Sequence, residues 1–402
     1  MNIALERRAF LRKFGITALG LLAPFGCEDP ERYHEGDIRA LAEQRRRERD
    51  GAGRGPFGSH RYQGYRGLAK LPYFEVDTRG RLRCVVDDLP DITDFHTHLG
   101  FSILFSPQVD WLAPSDRVRH LLDCDSETPG CELDLDVYVN ANFTSEDLDE
   151  LRWETLGQAF WGSARAATHT IPNLLAEMDD MGVRRAVLLP IAFGLPYRDD
   201  SSGSWYAAIQ QANERDRLLQ GGSVHPRDAD AIASLRAQVA RGARAIKLHP
   251  AVQRFYPDSA EAHPIYEECG RLGVPVFFHG GRAGIEPEYT HRFTLMRHYE
   301  EAIGQHPEVR FVLGHAGARD VADAIPLALR HRNLWLGIHG QGITILRELI
   351  DRLGAHRLLF GTDWPFYHLA ASLAKVLIVT EGQPQERQAI LQRNAQSVLG
   401  EG

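Results

Sequence analysis

From residue 171 onward the hydrophobic pattern switches repeatedly between two periods. Short apolar runs at 186–190, 221–225, 243–249, 275–279, 310–315, 335–339 and 358–363 read as strands buried on both faces. The segments between them, such as 173–181, mostly place apolar residues at helical spacing. An earlier run at 92–96 brings the number of strands to eight. Eight strands alternating with helices predict an α/β fold, a (β/α)8 TIM barrel, in preference to an open doubly wound sheet. The glycine-rich first turn that would mark the latter is absent. Two short apolar segments within 73–86 flank Asp77-Thr78-Arg79-Gly80 and predict a short hairpin leading into the barrel.

Between 100 and 170 the pattern is irregular, with the acidic stretch Glu132-Leu133-Asp134-Leu135-Asp136 and the aromatic residues Trp111, Tyr138, Phe143, Trp153 and Trp161. A connection this long after a barrel strand reads either as a lid inserted over the C-terminal rim or as a peripheral packing subdomain. Residues 31–72 are rich in Arg, Glu and Gly, with the run 44–50 almost wholly charged, and read as a flexible tether. The metal-binding barrel domain is therefore expected over 73–402.

Composition narrows the function classes. With 46 Lys+Arg against 54 Asp+Glu and a net charge of -8, the chain lacks the basic excess of a general nucleic-acid binder, and no nucleic-acid partner is expected. Cys124 and Cys131 bracket a turn-rich stretch and could close a small disulfide loop in an oxidising compartment; a zinc knuckle would need two further ligands nearby. Cys269 reads as a buried structural thiol.

The strand ends carry the chemistry. His96 and His98 are two apart, so an extended strand projects both imidazoles from one face. His279, His315 and Asp363 end later strands, and a barrel gathers those ends at one rim. Neutral imidazoles with one carboxylate suit a divalent metal, zinc first among them. Lys247 and His249 share a face of the fourth strand. His225 and His339 also end strands, and either could line the pocket or pack structurally. Arg282 and Arg254 could hold an anionic group through a planar fork.

Six motifs in order, Asp94-Phe95-His96-Thr97-His98, Met178-Asp179-Asp180-Met181-Gly182-Val183, Ile246-Lys247-Leu248-His249-Pro250, Phe278-His279-Gly280, Leu313-Gly314-His315-Ala316 and Gly361-Thr362-Asp363-Trp364-Pro365, resemble the amidohydrolase superfamily. The resemblance is closest to the amidohydrolase-2 branch, the relatives of aminocarboxymuconate semialdehyde decarboxylase. It implies His96, His98, His279 and Asp363 as ligands of one divalent metal, most simply Zn2+, with Asp363 and His315 as catalytic groups. Lys247, His249, Arg282 and His339 are then candidates for substrate contact. In binuclear members of the superfamily a lysine at the position of Lys247 bridges two metals, whereas this branch normally holds one.

The expected function is hydrolysis of a small amide, ester or lactone through activated water. Non-oxidative decarboxylation of a small carboxylic acid is the alternative, and an exported metal-binding non-enzyme is a third reading. Arg7-Arg8-Ala9-Phe10-Leu11-Arg12 followed by the uncharged run 14–25 resembles a twin-arginine export signal, which predicts a periplasmic or cell-envelope protein. Gly26-Cys27 could mark a lipid anchor at Cys27, although Pro24-Phe25 departs from that pattern. The expected partner is a small-molecule substrate, and pairing with a second copy is left open.

Overall fold

Within the residues that the computed structural model describes, 32–105, 108–124, 131–195 and 199–401, parallel strands close into a barrel. The strands are β1 (Ile92–Thr97), β2 (Val183–Leu188), β3 (Leu218–Gln220 and Gly222–Ser223), β4 (Ile246–Leu248), β5 (Val276–Phe278), β6 (Phe311–Leu313), β7 (Leu334–Gly337) and β8 (Leu358–Leu359). β1 pairs with β2 and β2 with the first half of β3; the second half of β3 pairs with β4, and pairing continues in order to β8. The ring closes between β8 and β1, where Phe95 N–H donates to Phe360 O at 3.0 Å and Asp363 N–H to His96 O at 2.8 Å. β3 breaks at Gly221, whose N–H still reaches Leu188 O; a Cβ there would stand 2.6 Å from that oxygen, so only glycine fits.

Every strand is followed by a helix, from Ile171–Met181 after β1 to Leu369–Val379 after β8. This is the expected (β/α)8 barrel. The strands are shorter than their apolar runs because the last residues of each run leave the ladder and turn into the rim. Two apolar layers result. Phe95, Val187, Ala245, Phe277, Val312 and Leu359 fill the barrel, and Ala395, Val398 and Leu399 of the terminal helix Asn394–Leu399 pack against them. The larger layer lies between strands and helices.

The described residues divide into two units at Ile38, 32–38 and 39–401. In the first, His34 N–H donates to Asp37 Oδ2 at 3.1 Å near the start of the helix Glu35–Gly51. Residues 1–30, where the sequence predicts an export signal and a candidate lipid anchor at Cys27, lie outside the described residues.

Residues 39–72 differ from the expected tether. They continue the helix Glu35–Gly51, add the strand Arg61–Gln63 antiparallel to Glu132–Asp134, and bury Tyr62, Tyr65, Leu68 and Leu71. Of the charges that suggested solvation, Glu48 is buried in a pair with Arg319, while Arg46 and Arg47 pair with Glu43 on the exposed face of the helix. The hairpin forms as Phe74–Val76 with Leu82–Cys84, its turn held by Asp77 Oδ1, which accepts from Arg79 and Arg81 N–H.

The insertion carries the helix Ser145–Trp161 and the short helix Val139–Asn142 and docks on the β7 loop, with Val139 N–H donating to Gly340 O and Ile343 N–H to Leu135 O. The acidic stretch is used internally, since Asp134 pairs with Arg61 and Asp136 accepts from Gly53 and Thr344 N–H. Cys124 and Cys131 form a disulfide with Cα atoms 5.2 Å apart, and Cys269 is a buried thiol.

Candidate metal centre

β1 bulges between Asp94 and Thr97, and this lets two consecutive side chains, Phe95 and His96, both reach the ring of Phe277. His96 and His98 then converge on β8: their Nε2 atoms are 3.1 Å apart and lie 3.5 and 3.3 Å from Asp363 Oδ1. Ligands bound to one tetrahedral zinc stand about 3.3 Å from each other, so these edges fit an ion.

The protons support the fit. His98 Nδ1 donates to Leu189 O at 2.6 Å, which leaves a lone pair on Nε2. That lone pair faces a carboxylate oxygen of Asp363 at 3.3 Å, an arrangement that is repulsive unless a cation lies between them. Lys247 Nζ approaches to 3.1 Å from His96 Nε2, but burial pulls its ammonium down to about 7, with Asp363 opposing, so it is a weak substitute for a metal. Burial likewise holds His96, His249 and His315 well below the usual imidazole range, and His339 at about 3, which keeps these rings neutral and able to act as ligands.

Asp363 and His315 both have left-handed backbones, φ 62° and 57°, a strained conformation for residues other than glycine. Surrounding contacts hold them there. Asp94, buried beneath, accepts from His96 N–H, Thr362 N–H and Thr362 Oγ1, which ties β1 to β8. Its burial pushes its carboxyl up to about 7. Gln341 Nε2 donates to His315 O and Ala318 O and is itself anchored by buried Lys375 through its carbonyl. Gly361 leaves room for the close approach of His96 and His339, since a Cβ there would sit 3.0 Å from His96 Cβ and 3.3 Å from His339 Nδ1.

The remaining sequence candidates separate into three groups. His339 joins the site, its Nε2 2.7 Å from His96 Nδ1, and among the described residues His96, His315 and His339 form a second close set of nitrogens beside His96, His98 and Asp363. His279 stands outside both sets: its Nε2 donates to buried Glu286 at 2.5 Å, its Nδ1 lies 3.1 Å from His315 Nε2, and His249 stacks on its ring at 3.9 Å.

Arg282, in contrast, is not presented to a substrate. It is buried against Asp320, with Nε and Nη2 both on that carboxylate, so its planar fork is used within the protein. His225 bonds Gln253 O and Arg227 N–H in the loops, and Arg254 lies over Tyr289. Sequence reasoning did not single out Tyr138 as a site residue, although it stands among the insertion's aromatics; its hydroxyl lies 3.1 Å from His315 Nδ1. Glu286 carried no motif at all.

A closed TIM barrel with imidazoles and a carboxylate converging at its C-terminal rim is the architecture of a metal-dependent enzyme. Residues 197–400 match the sequence model of the Amidohydro_2 family, described as amidohydrolase, and the chain belongs to that family of enzymes. No curated protein matches the chain.

Among solved structures, an uncharacterized TIM-barrel protein from Bordetella bronchiseptica superposes with a TM-score of 0.54 at 20% identity, covering 77% of this chain and 98% of that one, which shows the same fold. A 2,6-dihydroxybenzoate decarboxylase from Rhizobium gives 0.46 at 17% identity over 76% of this chain and 99% of its own. A manganese-containing 5-carboxyvanillate decarboxylase from Novosphingobium aromaticivorans gives 0.48 at 18% identity over 64% and 93%.

Proposed function

We propose that the protein is a metal-dependent hydrolase of a small amide, ester or lactone, using one divalent ion, zinc in the first instance. The observation that carries the reading is the convergence of His96 Nε2, His98 Nε2 and Asp363 Oδ1 within 3.1–3.5 Å of one another, with the Nε2 lone pair of His98 turned to the carboxylate oxygen. His96, His98 and Asp363 would hold the ion, and His279, which the structure places outside that set, would join it only by exchanging its Nδ1 contact with His315 for the ion. The ion would supply Lewis acidity toward a carbonyl and lower the pKa of water.

The protein's own groups do the proton work. Asp363 takes the proton of the attacking water and returns it to the leaving group, and His315 donates to the oxygen on which charge develops. Decarboxylation would be helped by an arginine that pairs with the substrate carboxylate. Arg282 and Arg319 are instead buried against Asp320 and Glu48, so neither fork is offered to a substrate carboxylate. Export to the periplasm or cell envelope, with or without a lipid on Cys27, remains part of the proposal, and so does a small-molecule substrate.

The test is Asp363→Asn, assayed for hydrolysis and for carbon dioxide release across small esters, lactones, amides and carboxylates, with metal content measured on the same samples. The expected outcome is wild-type hydrolysis that falls by about a thousandfold in a folded variant. Carbon dioxide release without hydrolysis would transfer the assignment to the decarboxylase. Full activity in a metallated Asn variant would remove Asp363 from the mechanism.

A further inference from the structure

In the helix Glu35–Gly51, Leu41, Arg45 and Glu48 share one face, because positions three and four apart lie on the same side of a helix. That face is turned to the barrel. Leu41 is buried, and so is Glu48, whose Oε1 accepts from Tyr138 N–H at 2.6 Å and Oε2 from Arg319 Nε at 3.2 Å. Tyr138 therefore separates this helix from His315: its backbone end is held by Glu48, and its hydroxyl lies 3.1 Å from His315 Nδ1. Arg45, between Leu41 and Glu48, brings its guanidinium over the loop that follows β5. A Cβ on Gly284 would meet Arg319 Nη1 at 2.5 Å and Arg45 Nη2 at 3.7 Å, so the two cations share the space above one glycine.

Three guanidinium groups around that loop have their acceptors. Arg282 is held by Asp320, Arg319 by Glu48 and Ala283 O, and Arg152 by Asp149, Ile285 O and Gly284 O. Arg45 makes neither a hydrogen bond nor an ion pair among the described residues. We propose, resting on the hydrolase reading above, that Arg45 is a specificity-determining residue whose free fork holds a carboxylate of the substrate, remote from the bond that is cut.

The surroundings call for an anion. Burial and then the charge of Arg319 pull Arg45 below the ordinary guanidinium range; Glu48 opposes them, but both of its oxygens are already taken. His291, buried in the same loop with neither ring nitrogen bonded, has Arg45 among its charged neighbours. A neutral imidazole carries one N–H, so this corner holds a second donor for which the protein supplies no acceptor.

Position defines which carboxylate is taken. Arg45 stands at the end of Tyr138 that faces away from His315, so the group it holds is kept through the reaction and is not the one that reacts. The substrate class is then a small amide, ester or lactone carrying a free carboxylate several bonds from the scissile carbonyl. A carboxylate matches the planar fork through two parallel N–H bonds, worth about 10–100-fold in affinity.

The test assays the metal-loaded, full-length protein on the mono-nitrophenyl esters of succinate, adipate and suberate, each against the neutral alkanoate ester of the same chain length. In parallel, calorimetry measures adipate binding to the chelated protein, which reads the subsite without metal or turnover. The wild type is expected to prefer an anionic ester over its neutral counterpart by about 10–100-fold in kcat/KM, mainly through KM. Arg45→Met should remove that preference and weaken adipate binding by a similar factor, with Arg45→Lys intermediate. Equal kcat/KM within every pair, or preference or adipate affinity retained in Arg45→Met, would overturn the proposal. Arg45 makes no bond in the fold, so both variants should keep the wild-type urea midpoint, and unfolded variants would contradict the premise. Inorganic phosphate bound through Arg45 with no anionic ester preferred would make this a site for a free anion and also overturn it. Adipate bound through Arg45 by a protein that hydrolyses no ester would sink the hydrolase reading, whereas equal hydrolysis of both esters without adipate binding would sink only this one.

Discussion

Glu177 sits on the helix that follows the insertion, and its carboxylate joins the insertion to the segment after β8: Oε2 accepts from His120 Nε2 at 3.0 Å and Trp364 Nε1 at 3.2 Å, and Oε1 from Leu369 N–H at 2.7 Å. Burial raises this acid, but His368 and His120 lower it further, and it settles at about 2, below the ordinary 4.5. A folded pKa below the unfolded one contributes stability above the unfolded value and loses it as pH falls through the folded value. Glu177→Gln should therefore destabilise the protein by roughly 2–3 kcal/mol near neutrality. In paired urea titrations that gap should shrink between about pH 4.5 and pH 2. A gap independent of pH would mean the carboxylate acts by shape alone.

At this scale the sequence was informative where chemistry repeats. His96, His98, His315 and Asp363 each end an apolar run, and a barrel sends such ends to one rim. Tyr138 lies 177 positions from the histidine it touches, within a segment without period, so nothing local marked it. Glu286 is only seven residues beyond His279, but the turn that brings it back depends on Gly284 and not on any spacing rule. Arg282 was misassigned because a planar fork suits a buried internal carboxylate as well as a substrate.

Among the elements, the loops after β5 and β6 are fitted to each other backbone to backbone. A Cβ on Gly281, at φ 71°, would lie 1.8 Å from Gly317 O. Gly281→Ala must push the two loops apart and with them His279 and His315. The expected cost is about 3 kcal/mol or more, seen as a lowered unfolding midpoint, together with loss of activity in whatever fraction folds. Wild-type stability and activity in this variant would show that the loops have slack.

The strands were legible because parallel strands buried on both faces must be continuously apolar. The tether was misread for the opposite reason. Pairing of its charges, such as Glu48 with Arg319, is made 271 positions away and leaves no local trace.

Over the whole molecule, the barrel closes through β1 and β8, the same two strands that supply His96, His98 and Asp363, so closure and ligand convergence are one event. The hydrogen bond from Asp363 N–H to His96 O and the Asp94 contacts to Thr362 make that seam. The insertion docks on the β7 loop and brings Tyr138 to the rim, so it takes part in the site whether or not it also opens and closes.

The central claim is that this rim holds a catalytic metal. The most direct measurement is elemental analysis of the purified protein, followed by chelation and stepwise metal return with hydrolysis monitored throughout. The account predicts about one divalent ion per chain, zinc foremost, activity lost on chelation, and activity restored in proportion to the ion returned. A folded protein that takes up no ion under loading conditions, or one that hydrolyses its substrate equally well after complete chelation, would contradict it.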